Sequence, residues 1–275
     1  MSANPLQKYF RQPKIFISLP SQGIYNHKGS IEGDVTKLPI YGMTGMDEIL
    51  LKTADALLSG ESTARVIASC CPNIVDPWDI SMLDMDILLS AIRIATYGNT
   101  LEATRACSSC GAENTYTINL SDIIEFYSQC RYNNSFKVHD LTVTLRPMTY
   151  KQSTSFALRN FELQRKVIQI QSILDDAERA KTNKDILEDL TLLKLDIASA
   201  GIESVSIGSE IVTDPQFIKE WITNTDVHVT ESLNSHADKM KDSLTPPEKS
   251  IVCDSCGHQD TIKIELDQSN FFVGA

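Results

Sequence analysis

An α+β fold is predicted for this chain of 275 residues, a mainly helical body with short strands. Three observations carry that prediction. Apolar residues recur at helical spacing through Met85, Leu88, Leu89, Ile92 and Ala95, and again between Phe156 and Ala200. Strict alternation at Leu141, Val143 and Leu145 reads as a half-buried strand. Two Cys-x-x-Cys-Gly turns, Cys107 to Gly111 and Cys253 to Gly257, each run into a further alternating stretch.

Aligned on those turns, Cys107 to Leu120 and Cys253 to Leu266 share Ser109/Ser255, Gly111/Gly257, Thr115/Thr261, Ile118/Ile264 and Leu120/Leu266. Cys-x-x-Cys lets two sulfurs converge on one ion, and the following Gly supplies a left-handed backbone position where the chain turns into its strand. The repeat predicts a split zinc-ribbon-like site: one structural Zn2+ held by Cys107, Cys110, Cys253 and Cys256, with no open coordination position. Two disulfides would require an oxidising compartment. A redox Cys-x-x-Cys would be followed by a helix instead of a strand.

A hydrophobic content of 42% allows one large or two modest cores. No apolar run is long enough to span a membrane, and residues 1–13 lack the apolar stretch of a signal peptide. A reducing cytoplasm is therefore expected, which keeps thiolates available for metal. The formal net charge of −11, with no dense Lys/Arg cluster, opposes direct contact with nucleic acid.

Taken in order, residues 1–13 read as a loose arm, Ile15 to Leu19 as a strand, and Ser30 to Ile40 as its return. Thr44 caps a helix with Met46, Leu50, Ala54 and Leu57 as its apolar stripe, closed by Gly60. Ser62 to Cys71 is a second helix with Ser62 as cap, Asp76-Pro77-Trp78 a third start, and Asp84 to Tyr97 a stronger helix ended by Gly98. Ser121 to Cys130 follows the first knuckle as a short helix. Beyond Leu145, the heptad positions Phe156, Leu163, Val167, Ile170, Leu174 and Ala177, then Ile186, Leu190, Leu193, Ile197 and Ala200, predict a long helical hairpin turning at Lys181 to Asp185. Asp214-Pro215 opens a helix with Ile218, Trp221 and Ile222, and Leu233, Ala237 and Met240 mark another. Phe271 and Phe272, near the end of the sequence, read as core anchors, with an exposed docking tag as the alternative.

Both halves run strand, Met-Thr, helices, Cys-x-x-Cys-Gly, strand, which predicts an internal duplication. The expected division is 1–137 and 138–275, the two packed as one unit through the zinc site.

Catalytic constellations are not legible. Gly60-Glu61-Ser62-Thr63-Ala64 departs from the nucleophile elbow at its last residue. Asp84 and Asp86 read as carboxylates answering a helix dipole. His258 follows a complete four-thiolate set, Cys70 and Cys71 read as buried thiols, and Cys130 has no companion. The chain is expected not to be an enzyme.

Several stretches together resemble one family: Leu19-Pro20-Ser21-x-Gly23-x-Tyr25; Leu38 through Glu48; Leu50-Leu51-Lys52-Thr53-x-Asp55-Ala56-Leu57-Leu58-x-Gly60; Asp76-Pro77-Trp78; and Ile92 through Gly98 before the first knuckle. They are similar to the baseplate hub subunit and hub assembly proteins of T-even-type contractile-tail phages, closely over Leu19 to Leu120 and loosely beyond Thr149. That resemblance implies a structural or assembly component of the central baseplate hub, present in the host cytoplasm during assembly or in the virion tail, whose partners are other hub or tail proteins. The alternative from another class is a zinc-ribbon adaptor that binds nucleic acid or acts in transcription.

Overall fold

The computed structural model describes residues 4–53, 59–170 and 175–263. The chain forms two compact units, one from Met1–Arg131 with Ser243–Ala275 and one from Tyr132–Asp242. A division at 137/138 would fall inside a strand of the second unit, Ser135–Val138, and cut its pairing with the next.

In the first unit, β1 (Pro13–Ile17) pairs antiparallel with β2 (Leu38–Tyr41). The return strand is shorter than predicted. Gly29 and Gly33 take positive φ, and Asp34 accepts from the N–H groups of Thr36 and Lys37, so residues 30–37 are mainly turns, tied to the body by the Ile31–Ile74 bridge and by backbone hydrogen bonds such as Glu32 N–H to the Asn73 carbonyl. Helix α1 (Gly45–Leu51) starts at a reciprocal cap, in which Thr44 Oγ1 accepts from Asp47 N and Asp47 Oδ2 from Thr44 N. Its predicted stripe is not its buried face. Met46 is 66% exposed, while Leu51 and the capping Asp47 turn inward; Ala54 and Leu57 lie outside the described residues.

Helix α2 (Glu61–Cys70) follows Gly60. Ser62 does not cap it; its hydroxyl donates 2.8 Å to the Leu50 carbonyl and ties α2 to α1. Helix α3 (Met82–Tyr97) is buried around its whole circumference, with Met85, Ile87, Leu88, Leu89, Ala91 and Ile92 at 1% exposure or less. A helix enclosed in this way is the centre of a core rather than an amphipathic surface element.

Two of the segments that carry the family resemblance, Leu19 to Tyr25 and Leu38 to Glu48, meet on α3, whose last turns are a third. Ser21 donates to Asp84 from both its N–H (2.9 Å) and its hydroxyl (2.5 Å). Gly42 passes so close to α3 that a Cβ there would lie 2.8 Å from the Ala95 carbonyl oxygen. Met43 N–H donates to Thr96 Oγ1, and Tyr97 OH to Glu48. The amino-terminal arm is anchored rather than loose: the Arg11 guanidinium reaches the Gly42 and Ser69 carbonyls at 2.7 and 2.6 Å. Asp86 likewise does more than answer the helix dipole, since it accepts from Tyr127 of α4 (Leu120–Gln129).

The second unit is built on an antiparallel sheet of β5 (Ser135–Val138), β6 (Leu141–Leu145), β7 (Ile202–Ile207) and β8 (Glu210–Val212), in that spatial order. Val143, Leu145, Ile202 and Val205 pack against Ile218 and Ile222 of α7 (Pro215–Asn224) and Val229 and Leu233 of α8 (Val227–Ser243). Between β6 and β7 the chain leaves as α5 (Tyr150–Ile170) and returns as α6 (Asp176–Ala200). The hairpin is therefore present, but residues 181–185 lie within α6. The polar run is an exposed helical face, and α6 begins where Asp175 Oδ1 accepts from Glu178 N. Helix α5 starts at a second reciprocal cap, Thr149 with Gln152, matching that of Thr44 with Asp47.

Asp84 supplies a test of the α3 framework. Burial pushes its carboxyl up from an ordinary value of 3.8 to about 6, against the pull of the Ser21 hydrogen bonds. A group raised in the folded state contributes stability that is fully present below its unfolded pKa and is lost as pH rises through the folded one. The stability of wild type relative to Asp84→Asn should thus fall by on the order of 2 kcal/mol between pH 4 and pH 7. Thermal or urea unfolding of both proteins across that range measures it, and a constant difference would contradict the assignment.

Candidate metal centre

In the first unit two short antiparallel hairpins present the four cysteines. β3 (Thr100–Ala106) and β4 (Glu113–Asn119) flank the first turn; β9 (Lys249–Val252) and β10 (Gln259–Ile262) flank the second. The strands that enter each turn were not predicted, because neither has the clean apolar alternation of β4. Ile264, Leu266, Phe271 and Phe272 lie outside the described residues.

The two turns are built alike. Gly111 N–H donates to the Cys107 carbonyl and Gly257 N–H to the Cys253 carbonyl, at 2.9 and 2.8 Å, with φ of +72° and +71° at the glycines. That conformation is open to glycine without steric cost, which accounts for its repetition. Cys107 N–H closes the first turn on the Ala112 carbonyl, and Cys253 N–H closes the second on that of His258.

All four sulfurs lie within 4.8 Å of one another. Cys107 Sγ is 3.7 Å from Cys256 Sγ, and Cys110 Sγ is 3.7 Å from Cys253 Sγ. These distances are far beyond a disulfide bond. They match the edge, about 3.8 Å, of a tetrahedron with Zn–S bonds of about 2.3 Å. The donor set is therefore of the right number, chemistry and spacing for one zinc ion. His258 takes part through its backbone.

The surrounding polar contacts are exchanged between equivalent positions of the two turns. Asn114 Oδ1 accepts from Asp254 N, while Asp260 Oδ2 accepts from Ser108 Oγ, both at 3.0 Å. Asn114 and Asp260 each stand seven positions beyond the first cysteine of their own turn. Asn114 Nδ2 also donates to Cys253 Sγ at 3.4 Å, and Arg105 joins the hairpins through the Thr261 carbonyl at 2.7 Å. None of these three residues was singled out from the sequence; the only signal was an amide or carboxylate at the same offset in both copies.

Electrostatics favours a cation at the centre. Burial pushes the Cys253 thiol up, but the N–H groups of Cys256 and Ser255 and the Asn114 amide outweigh it and hold the thiol at about 6. At Cys256 the His258 N–H pulls the other way from the Cys110, Cys253 and Cys107 sulfurs, which raise it to about 12. Four adjacent thiols do not all ionise without a positive charge between them, and a divalent cation supplies that charge.

Several polar groups outside this centre have structural surroundings. Burial raises Cys70 to about 12 and Cys71 to about 11, leaving them as unreactive thiols. Asp79, unremarked in the sequence, accepts from His27 Nδ1, the His27 N–H and Ser30 Oγ. Its carboxylate lies between the serine and the histidine, so His27 is not placed to take the Ser30 proton. No helix among the described residues is long and apolar enough to cross a membrane.

These features define a helix-rich α+β protein with a four-cysteine centre joining distant parts of its chain. The model of the T4 bacteriophage base plate protein family matches residues 32–273, and the chain belongs to that family. Its role is accordingly structural, in the baseplate of a phage tail. Neither a curated protein nor a solved structure matches it.

Replacing Asn114 by Ala removes a donor to Cys253 and the brace to the other knuckle. Metal affinity should drop about 10- to 100-fold, the usual effect of losing such a supporting contact, while Ser108→Ala should have a smaller effect. Competition with a chromophoric chelator measures both, and equal affinity for wild type and Asn114→Ala would contradict the supporting role.

Proposed function

We propose that this chain is a component or assembly factor of the central baseplate hub, held together by one structural zinc on Cys107, Cys110, Cys253 and Cys256, and acting by binding other tail proteins. It works in the host cytoplasm during assembly and in the baseplate that results.

The α5–α6 hairpin is the observation that carries protein binding. Only Leu163, Ile186, Leu193 and Tyr150 are buried along its described length, while Phe161, Val167, Ile168, Leu187 and Leu192 are 39–70% exposed. Two long helices with one narrow seam leave apolar faces that suit a protein partner. The cross-hairpin pairs Arg159–Asp196 and Lys166–Asp189 hold it in register without covering those faces. The adaptor reading draws less support. Cations at the knuckles are already used, Arg105 by Asp260 and Lys249 by Asp122, leaving little to attract phosphates.

An amber mutation early in the reading frame should give lysis without infectious particles, with tails lacking a complete baseplate by electron microscopy. Complementation then tests the hairpin. Its root must stay, since Leu195 and Ala198 pack against the core of the second unit. A variant with residues 161–190 replaced by a short Gly-Ser linker should fold and bind one zinc yet fail to restore baseplates. Normal baseplates in the amber lysate would refute the structural role, and full rescue by the trimmed variant would refute docking through the hairpin.

A further inference from the structure

Where the hairpin joins the second unit, a cleft of about 620 Å³ opens between the last turns of α6 and helix α8. Its lining is mainly apolar, with Leu145 and Ile202 from the sheet, Ile197 and Ala198 from α6, and Leu233 and Ala237 from α8. Such a volume is large for isolated waters and falls in the range of ligand-binding clefts.

The charged residues lining it are Arg146 and Lys194, both cationic, in a chain with 36 acidic and 25 basic side chains. Elsewhere in the same unit cations find carboxylates: Arg159 and Lys219 share Asp196, each at 2.6 Å. Among the described residues no carboxylate pairs with Arg146 or Lys194.

We propose that the cleft receives an apolar segment of another tail protein, and that Arg146 and Lys194 hold a carboxylate side chain on that segment. The proposal rests on the reading that the chain acts by binding tail proteins. A protein segment is favoured over a small amphiphilic acid because the apolar surface does not stop at the cleft. Ile197 lines it and is 36% exposed, and Leu192, 47% exposed, stands one turn before the cleft-lining Leu195 on α6. A small molecule would leave that continuation uncovered.

The test uses the amber phage complemented with full-length Arg146→Glu or Lys194→Glu. Each purified variant is checked for wild-type unfolding temperature and metal content. Both should fold and bind metal, and complementation should drop roughly 30-fold or more for Arg146→Glu and roughly 10-fold for the more exposed Lys194→Glu, since charge reversal turns attraction for the carboxylate into repulsion. Suppressors of Arg146→Glu should map to another tail gene and change an Asp or Glu there to a neutral or basic residue. If Arg146→Glu does not fold, the exposed position Lys194 decides by the same two criteria. Full complementation by the folded variants overturns the proposal, as do suppressors confined to this chain. Dodecanoate serves as the small-molecule probe: tight binding to wild type that Arg146→Glu abolishes, without intergenic suppressors, also overturns it. Normal baseplates in the uncomplemented amber lysate would instead remove the parent reading, so the two failures are distinguishable.

Discussion

The first unit depends on four sulfurs brought together from segments 143 to 149 positions apart in the chain. Holding such remote segments together has an entropic cost that grows with the length of the loop closed. Among the described residues, the second hairpin has little hydrophobic area to meet that cost: β9 and β10 are four residues each, with Ile251 buried in β9 and Cys253 buried in the turn that follows it. An isolated two-stranded hairpin of this size is marginal in water. Thiolate ligation by a shared cation, as proposed, would provide what the packing lacks, and the exchanged contacts of Asn114 and Asp260 fix the register in which the two turns meet.

The rest of that unit is organised differently, by buried polar groups on an apolar helix. Asp84, buried, and Asp86, partly buried, lie on α3 and bind segments that precede and follow it, through Ser21 and Tyr127. Polar groups of this kind are tolerated in a core because they are hydrogen-bonded, and they specify one arrangement where apolar contacts alone would allow several. This framework is carried by stretches that resemble the baseplate family. Leu19 to Gly23, Leu38 to Glu48 and Ile92 to Gly98 are the parts that lock together around α3.

How much of this was legible depended on how local the signal is. The knuckles were readable because a thiol pair and a left-handed glycine demand fixed spacing, and the helices of the second half because their caps, Asp214 for example, sit beside periodic apolar runs. β7 was missed because its buried residues, Ile202 and Val205, are three apart across a register shift and do not alternate, and β8 because it is only three residues long; both depend on neighbours that the sequence does not show. The turn at 181–185 was misplaced because a polar, charged run looks the same in a loop and on a solvated helix face. Met46 and Ser62 were misassigned because periodicity gives the spacing of a face but not which face turns inward; Asp47 took the inner position through Thr44, Ser69 and Arg11. The supporting residues of the sulfur cluster, Asn114 and Asp260, could be recognised only once the two hairpins were placed together.

The central claim is that one cation on the four sulfurs holds the two knuckles as a single structure. Hydrogen exchange read by mass spectrometry, with and without a strong chelator, tests it most directly. The amides of β3, β4, β9 and β10 should lose protection together when metal is removed, while β6 and β7 keep theirs. Unchanged protection across both knuckles, or loss confined to one of them, would contradict a shared centre.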